Sequence, residues 1–145
     1  MDKTRLELLK DTEGYIPPII PIIDDKPKII SKIFPTIPVE DKITIRQQVD
    51  LWDSTAPIYS IDYINDEDLQ FNFRRLILKE KLNICDYIYI SYNSFKEIDK
   101  VSLNEFCEKF VYYWYPVADD LEIVADDFSW KMLIRHDGCI FLVRT

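Results

Sequence analysis

The sequence predicts an α+β fold, in which an antiparallel sheet with a C-terminal β-meander is packed by two amphipathic helices. Helical apolar periodicity at residues 65–82 and 102–114 predicts the helices. Side-chain alternation at 85–92, and a strand–turn–strand pattern over 121–143, predict the sheet. With 145 residues, 48% of them hydrophobic, the chain can bury a core without disulfides or a metal, so we expect a single domain over 1–145.

The N-terminal part begins with a predicted short helix at residues 2–10, which Gly14 ends. Six of the eight prolines then fall between Pro17 and Pro38, interleaved with isoleucines. Proline disfavours helices and sheet interiors, whereas isoleucine favours burial. We therefore expect residues 11–40 to form a Pro/Ile-rich extended arm that lies on the domain. A polyproline-type ligand for another module is the alternative, although such ligands are usually less apolar.

The middle of the chain is predicted to contain three strands and one helix. Residues 42–46 alternate and residues 58–64 are rich in β-formers, so both read as strands. The helix at 65–82 is expected to begin at Asn65 and to carry lysines in its last turn. Alternation in the strand at 85–92 predicts two differently packed faces.

The C-terminal third is predicted element by element. Ser102 and Glu105 form a capping box that begins a helix, which Pro116 stops. Short strands follow at 121–124 and 128–136. The pair Asp137-Gly138 predicts a two-residue type I′ turn to the last strand. That turn would pair Met132 with Val143, so that both face the same core.

Composition argues against several classes of function. Two glycines cannot supply a dinucleotide fingerprint or a phosphate-binding loop. The net charge of −8 disfavours nucleic acid and anionic membranes as partners. No apolar run is long enough to span a membrane, and no secretory signal is visible. Three widely spaced cysteines predict neither a disulfide framework nor a zinc site, so we expect a cytoplasmic protein without cofactors or bound metal.

The only histidine, His136, lies near Cys139 and Asp137 in the predicted hairpin. A Cys–His nucleophile would make the chain a small enzyme. A structural residue at a strand end explains His136 better, because turn geometry already accounts for Asp137. We therefore predict that the protein is not an enzyme and has no catalytic residues.

A run of carboxylates preceded by tyrosines is the predicted binding surface. Clustered acids raise association rates with cationic partners, and tyrosines are enriched among interface anchors. Solvated turns and strand ends are the alternative explanation. Reversing the charges of Asp119 and Asp120 is expected to slow partner association and hardly to change stability. The candidate partner-binding residues are Tyr112, Tyr113, Tyr115, Asp119, Asp120, Glu122, Asp126 and Asp127.

The stretches 110–120 and 128–138 together resemble the C-terminal pattern of small bacterial immunity proteins. The shared pattern is an aromatic helix end, a proline, an aspartate pair, and a Trp-led strand ending in His-Asp-Gly. Proteins of this class neutralise polymorphic or contact-dependent toxins, many of which are basic nucleases. The resemblance implies a non-catalytic cytoplasmic protein that binds and blocks a cognate basic toxin. The alternative is a non-catalytic adaptor or phage-type accessory protein that binds another cellular partner.

Overall fold

A computed structural model describes residues 1–62 and 71–144. In these parts of the chain, seven strands form one antiparallel sheet in the order β1-β4-β3-β5-β6-β7-β2. The strands are β1 (Ile20–Ile22), β2 (Tyr59–Ser60), β3 (Tyr87–Ser91), β4 (Ile98–Ser102), β5 (Leu121–Ala125), β6 (Trp130–Ile134) and β7 (Cys139–Arg144). The helices are α1 (Lys3–Glu13), α2 (Lys26–Ile33), α3 (Lys42–Asp50), α4 (Phe73–Lys79) and α5 (Leu103–Glu108). The predicted α+β class and C-terminal meander, β5-β6-β7, are confirmed.

Both faces of the sheet are buried. On one face, Ile88, Ile123 and Met132 pack with apolar residues of α4 and α5, the two helices expected from the sequence. On the other face, Val124 and Leu133 pack with residues of α2 and α3. The sheet is therefore the middle layer between two sets of helices. Among the described residues, no helix has the length and apolar character needed to cross a membrane.

Residues 26–50 differ from the prediction. The extended arm is wrong for Lys26–Ile33, which form α2 with Pro27 in its first turn, where proline is tolerated. The strand at 42–46 is also wrong, because these residues lie in α3. Asp41 caps α3 by accepting a 3.1 Å hydrogen bond from the backbone N–H of Thr44. Ile45 and Val49, four residues apart, supply the buried face of that helix.

The two predicted amphipathic helices are shorter than expected. Helix α4 begins at Phe73 and is capped by Asn72, so a continuous helix from Asn65 is wrong; residues 63–70 lie outside the described part of the chain. Helix α5 begins as predicted, with the Ser102 hydroxyl accepting from the N–H of Glu105 at 3.0 Å. The second half of the capping box is replaced, because the Glu105 carboxylate instead accepts a 2.7 Å hydrogen bond from the Tyr15 hydroxyl.

The β6–β7 hairpin has a different turn from the one predicted. Its loop has three residues, with the N–H of Gly138 donating to Arg135 and the N–H of Arg135 donating to Cys139. Gly138 has a φ of 89°, which fits a type I turn followed by a left-handed residue. Met132 therefore pairs with Leu142 rather than Val143. The one-residue shift moves every β7 side chain to the opposite face from the one predicted.

Replacing Gly138 with alanine is expected to lower the free energy of unfolding by at least about 2 kcal/mol. A Cβ at this position would lie 2.2 Å from the backbone oxygen of Ile61, and φ is positive. Gly14→Ala is the matched control, because its φ is 61° but a Cβ there meets nothing within 4 Å. It should cost only about 1 kcal/mol. Urea denaturation of both variants measures the difference, and equal losses would contradict the close approach.

Candidate functional site

The eight predicted partner-binding residues do not form one surface. Asp120 and Asp126 lie at opposite ends of β5, about 20 Å apart at the usual rise per residue. Of the carboxylates, only Asp120 and Asp127 are exposed, whereas Asp119 and Glu122 are buried. The single acidic surface expected from the sequence is therefore wrong.

Asp119 is held inside the protein by Arg5 of α1. One guanidinium nitrogen of Arg5 donates to both carboxylate oxygens, at 2.6 and 2.5 Å. The guanidinium also lies 4.6 Å from the ring centre of Tyr92 and 4.3 Å from that of Tyr115. Asp119 further accepts a 2.7 Å hydrogen bond from the N–H of Tyr115. These contacts dock α1 on the sheet, so Asp119 and Tyr115 serve the fold.

Tyr112 and Tyr113 also contact other parts of the chain. Tyr113 is completely buried, and its hydroxyl lies 3.0 Å from that of Tyr15. Burial raises the pKa of Tyr113 to about 12, so the phenol stays neutral. Tyr112 stacks on Tyr15, with ring centres 4.9 Å apart. The tyrosines thus hold the extended segment after α1, and the partly exposed Tyr112 is the accessible one.

Asp126 and Asp127 form the β5–β6 turn. The Asp127 carboxylate accepts hydrogen bonds from the hydroxyl and the N–H of Ser129, at 2.6 and 3.0 Å. The Ser129 hydroxyl bond lowers the pKa of Asp127. Turn geometry therefore accounts for this pair. This agrees with the alternative explanation of the acidic run, which was a set of solvated turns and strand ends.

Asp120 and Glu122 instead belong to an open cleft of about 440 Å³ on the α2/α3 side of the sheet. Helix α3, the residues that follow it, the β3–β4 loop, β5 and β6 all line the cleft. Its charged side chains are Arg46, Asp50, Asp53, Lys96, Asp120, Glu122 and Arg135. Both signs of charge therefore meet in one concave surface.

The floor of this cleft contains Glu122, whose exposure is only 3%. Its Oε1 accepts a 3.1 Å hydrogen bond from the N–H of Ser94. Its Oε2 is buried and has no hydrogen-bond partner among the described residues. Burial raises the pKa of Glu122 to about 8, and the bond from Ser94 offsets only part of that effect. Glu122 is consequently protonated in most molecules at neutral pH.

The β3–β4 loop is built to place Ser94 at this carboxyl. The Ser91 hydroxyl accepts hydrogen bonds from the N–H groups of Asn93 and Phe95, at 3.2 and 2.9 Å. Ser94 and Phe95 have φ values of 56° and 64°, which non-glycine residues rarely adopt. Consecutive strained residues of this kind persist where surrounding contacts impose them, often at functional sites.

Two sets of charged residues at the rim of the cleft already form pairs within the protein. Asp120 Oδ1 contacts His136 Nδ1 at 2.9 Å and accepts from the His136 N–H at 2.8 Å. Arg135 pairs with Asp53 at 2.8 Å and also with Asp137, and the Arg135 hydrogen bond lowers the pKa of Asp137 to about 2. These pairs fix the edge formed by β5, β6 and the hairpin loop.

Three other rim residues carry charges that remain available. Within residues 1–62 and 71–144, Arg46, Asp50 and Lys96 form no ion pair. Asp50 is exposed at the end of α3, and Lys96 is exposed in the β3–β4 loop. A cleft with free charges of both signs suits recognition of another charged surface.

The side chains considered for catalysis are not brought together. In the described structure His136 contacts Asp120, and no contact joins it to Cys139. Burial raises the pKa of Cys85 and Cys107 to about 11, so both remain thiols at neutral pH. No group of three or more His, Cys, Asp or Glu side chains within the described residues is arranged to hold a metal ion.

Sequence reasoning included Asp120 and Glu122 but missed the rest of the cleft. Arg46 was assigned to the wrong strand at 42–46, so its place beside Asp50 on a helix was not recognised. Lys96 lies in a loop without a motif. If residues 42–50 had been assigned to a helix, the charged side chains of Arg46 and Asp50 near its end would have been recognised as part of a candidate site.

No family model matches the chain, and no curated protein or solved structure is significantly similar to it.

Proposed function

We propose that this protein is an immunity-type protein that binds a basic toxin domain at the cleft and neutralises it. The observation that carries the proposal is the buried carboxyl of Glu122 beneath an open cleft, one oxygen of which has no partner within residues 1–62 and 71–144. An unsatisfied buried polar group costs roughly 1–3 kcal/mol, so its retention points to a functional use. The free charges on the rim would steer and orient a charged partner.

The net charge of −8 supports a basic partner, because long-range attraction accelerates encounter with a cationic surface. The C-terminal resemblance to immunity proteins agrees with this choice. The binding surface differs from the one expected from the sequence, since it combines Asp120 and Glu122 with residues of α3 and of the β3–β4 loop. Blocking by tight binding requires no catalytic group.

The candidate toxin is the product of the adjacent upstream gene. Asp50→Lys is expected to slow association with this product roughly tenfold at low ionic strength, and to weaken the salt dependence. Asp50 is exposed at the C-terminal end of α3, where a lysine complements the helix dipole and leaves the fold intact. Glu108→Lys is the matched control, since Glu108 is exposed at the end of α5 and makes the same charge change. Stopped-flow or surface-binding kinetics measures both rates.

Two outcomes would refute the proposal. The first is that the upstream product does not bind more tightly than micromolar. The second is that cells lacking this gene survive expression of that product. Equal rates for Asp50→Lys and Glu108→Lys would retain a binding protein but move its interface away from the cleft.

An adaptor function remains the second candidate because of the β1 edge. Ile16, Ile20 and Ile23 are 68%, 55% and 77% exposed, and β1 is the outermost strand of the described sheet. An exposed edge strand can accept a strand from another protein. A partner whose binding is lost in Ile20→Lys and unchanged in Asp50→Lys would favour this function.

A further inference from the structure

We propose that the cleft receives a basic side chain of the partner, a lysine ammonium or an arginine guanidinium, and that this cation binds Glu122 in exchange for the carboxyl proton. The inference rests on the proposed function and specifies the chemistry of the contact. The exchange of a proton for a cation would make recognition of the partner depend on pH as well as on charge.

The geometry at Glu122 supplies an incomplete acceptor. One carboxyl oxygen accepts from the N–H of Ser94. The other is buried and has no partner in the described part of the chain, although the residue lines the open cleft. A guanidinium offers five N–H donors and an ammonium offers three. Either group would satisfy the free oxygen with a charge-assisted hydrogen bond, which is roughly twice as strong as a neutral one.

The charges around Glu122 favour a cation over an anion. The groups that line the same cleft are Arg46 and Asp50 from α3, Asp53 after α3, Lys96 from the β3–β4 loop, Asp120 beside β5 and Arg135 after β6. The charged neighbours whose fields act most on Glu122 are Asp120 and Asp50, both acidic. Arg135 is already engaged by Asp53 and Asp137. An incoming cation at Glu122 would therefore meet the two acidic neighbours that act most on it, while Arg46 and Lys96 are left on the rim for acidic groups of the partner.

The size of the cleft favours a side chain over a metal ion. A volume of about 440 Å³ accommodates a long basic side chain with its hydration. A metal ion would need several ligands at fixed short distances, and the described residues contain no group of three acids, histidines or cysteines so arranged. The aliphatic stem of the side chain would contact Leu133 and Val49, the apolar residues of the cleft wall.

The proton balance follows from the state of Glu122. Burial holds its pKa at about 8, so the carboxyl is neutral at pH 7 before binding. The bound cation keeps its own proton, because guanidinium and ammonium groups titrate well above this range. Glu122 loses one proton to the buffer, and a carboxylate–cation pair forms. Affinity should therefore rise up to tenfold per pH unit below pH 8 and level off above it.

The test uses ethylguanidinium and butylammonium chloride as probes for the two side chains, with neutral ethylurea and inorganic phosphate as comparison ligands. The readouts are the NMR shifts of the Ser94 N–H and of the Glu122 side-chain carboxyl carbon. We expect saturable shifts with at least one cation, movement of the carboxyl carbon to its ionised value, and stronger binding at pH 8 than at pH 6. Glu122→Gln should bind the cation at least tenfold more weakly at pH 8, with no pH dependence, and Glu108→Gln should behave as the wild type.

Three results would overturn the inference: saturable shifts with phosphate but not with the cations, binding that is unaffected by Glu122→Gln, or no saturable shift with any cation. None of them tests the proposed function. If the upstream product still binds, and Asp50→Lys still slows its association, the toxin-binding proposal stands without the buried cation. If the cations bind Glu122 but the upstream product does not bind, the cleft is a cation site and the proposed partner is wrong.

Discussion

Glu122→Gln is expected to stabilise the protein by on the order of 4 kcal/mol above pH 8 and by less than about 1 kcal/mol at pH 5. In the unfolded chain a glutamate titrates near pH 4.3. Burial raises the pKa of Glu122 in the folded protein to about 8. Between these values the folded state binds one more proton than the unfolded state, so the contribution of Glu122 to stability falls as pH rises and is fully lost above pH 8. Glutamine is neutral throughout, and its oxygen can still accept from Ser94.

Urea denaturation of the wild type and the variant from pH 5 to pH 9 measures this effect. Glu40→Gln is the control, because Glu40 is exposed and the substitution removes the same charge. The wild-type and Glu40→Gln profiles should fall in parallel, while the Glu122→Gln profile stays higher at alkaline pH. Parallel profiles for all three proteins would show that Glu122 ionises in the folded state as it does in water.

The same substitution should weaken partner binding, since glutamine cannot form an ion pair. A variant that becomes more stable while it loses affinity is the pattern expected of a site kept strained for function. If Glu122 were retained only for the fold, its replacement would destabilise the protein. Comparing the two measurements therefore distinguishes a functional Glu122 from a structural one.

The parts of the fold that were predictable are those specified by local sequence. Strand β3 and the strands of the meander follow from side-chain alternation, and Ser102 signals the start of α5 by its own hydrogen bond. Helices α2 and α3 were missed because prolines and an Ile-Thr-Ile alternation argue locally for extended chain. Packing of Ile45 and Val49 against the sheet overrides that preference.

The site was less predictable because it depends on the missed helices. Alternation in β5 correctly separates Leu121 and Ile123 from Glu122, and without α3 Glu122 was expected to lie on a partner-binding surface. Once α3 covers the face, the same alternation buries Glu122 beneath the cleft. For Asp119, the decisive partner lies 114 positions away at Arg5, a distance over which local patterns carry no information.

Arg5→Met is expected to lower the free energy of unfolding by about 3–5 kcal/mol. The side chains of Arg5 and Asp119 are only 11% and 10% exposed, so loss of the guanidinium leaves a buried carboxylate without its counter-charge. The contacts with Tyr92 and Tyr115 are lost as well. For the same reason Asp119→Lys should unfold this region by placing two cations together. This differs from the nearly unchanged stability expected when both aspartates were taken as surface residues.

Lys3→Met is the matched control, because Lys3 lies in the same helix with an 89% exposed side chain. Its effect should stay within about 0.5 kcal/mol. Arg5→Met combined with Asp119→Asn should recover about 2 kcal/mol or more of the loss, since the asparagine leaves no buried charge and still accepts from the N–H of Tyr115. Chemical denaturation of the wild type, Arg5→Met, Asp119→Asn and the double variant completes the cycle. Additive losses in the double variant would mean that Arg5 stabilises α1 through the tyrosine rings alone, and that Asp119 is satisfied without it.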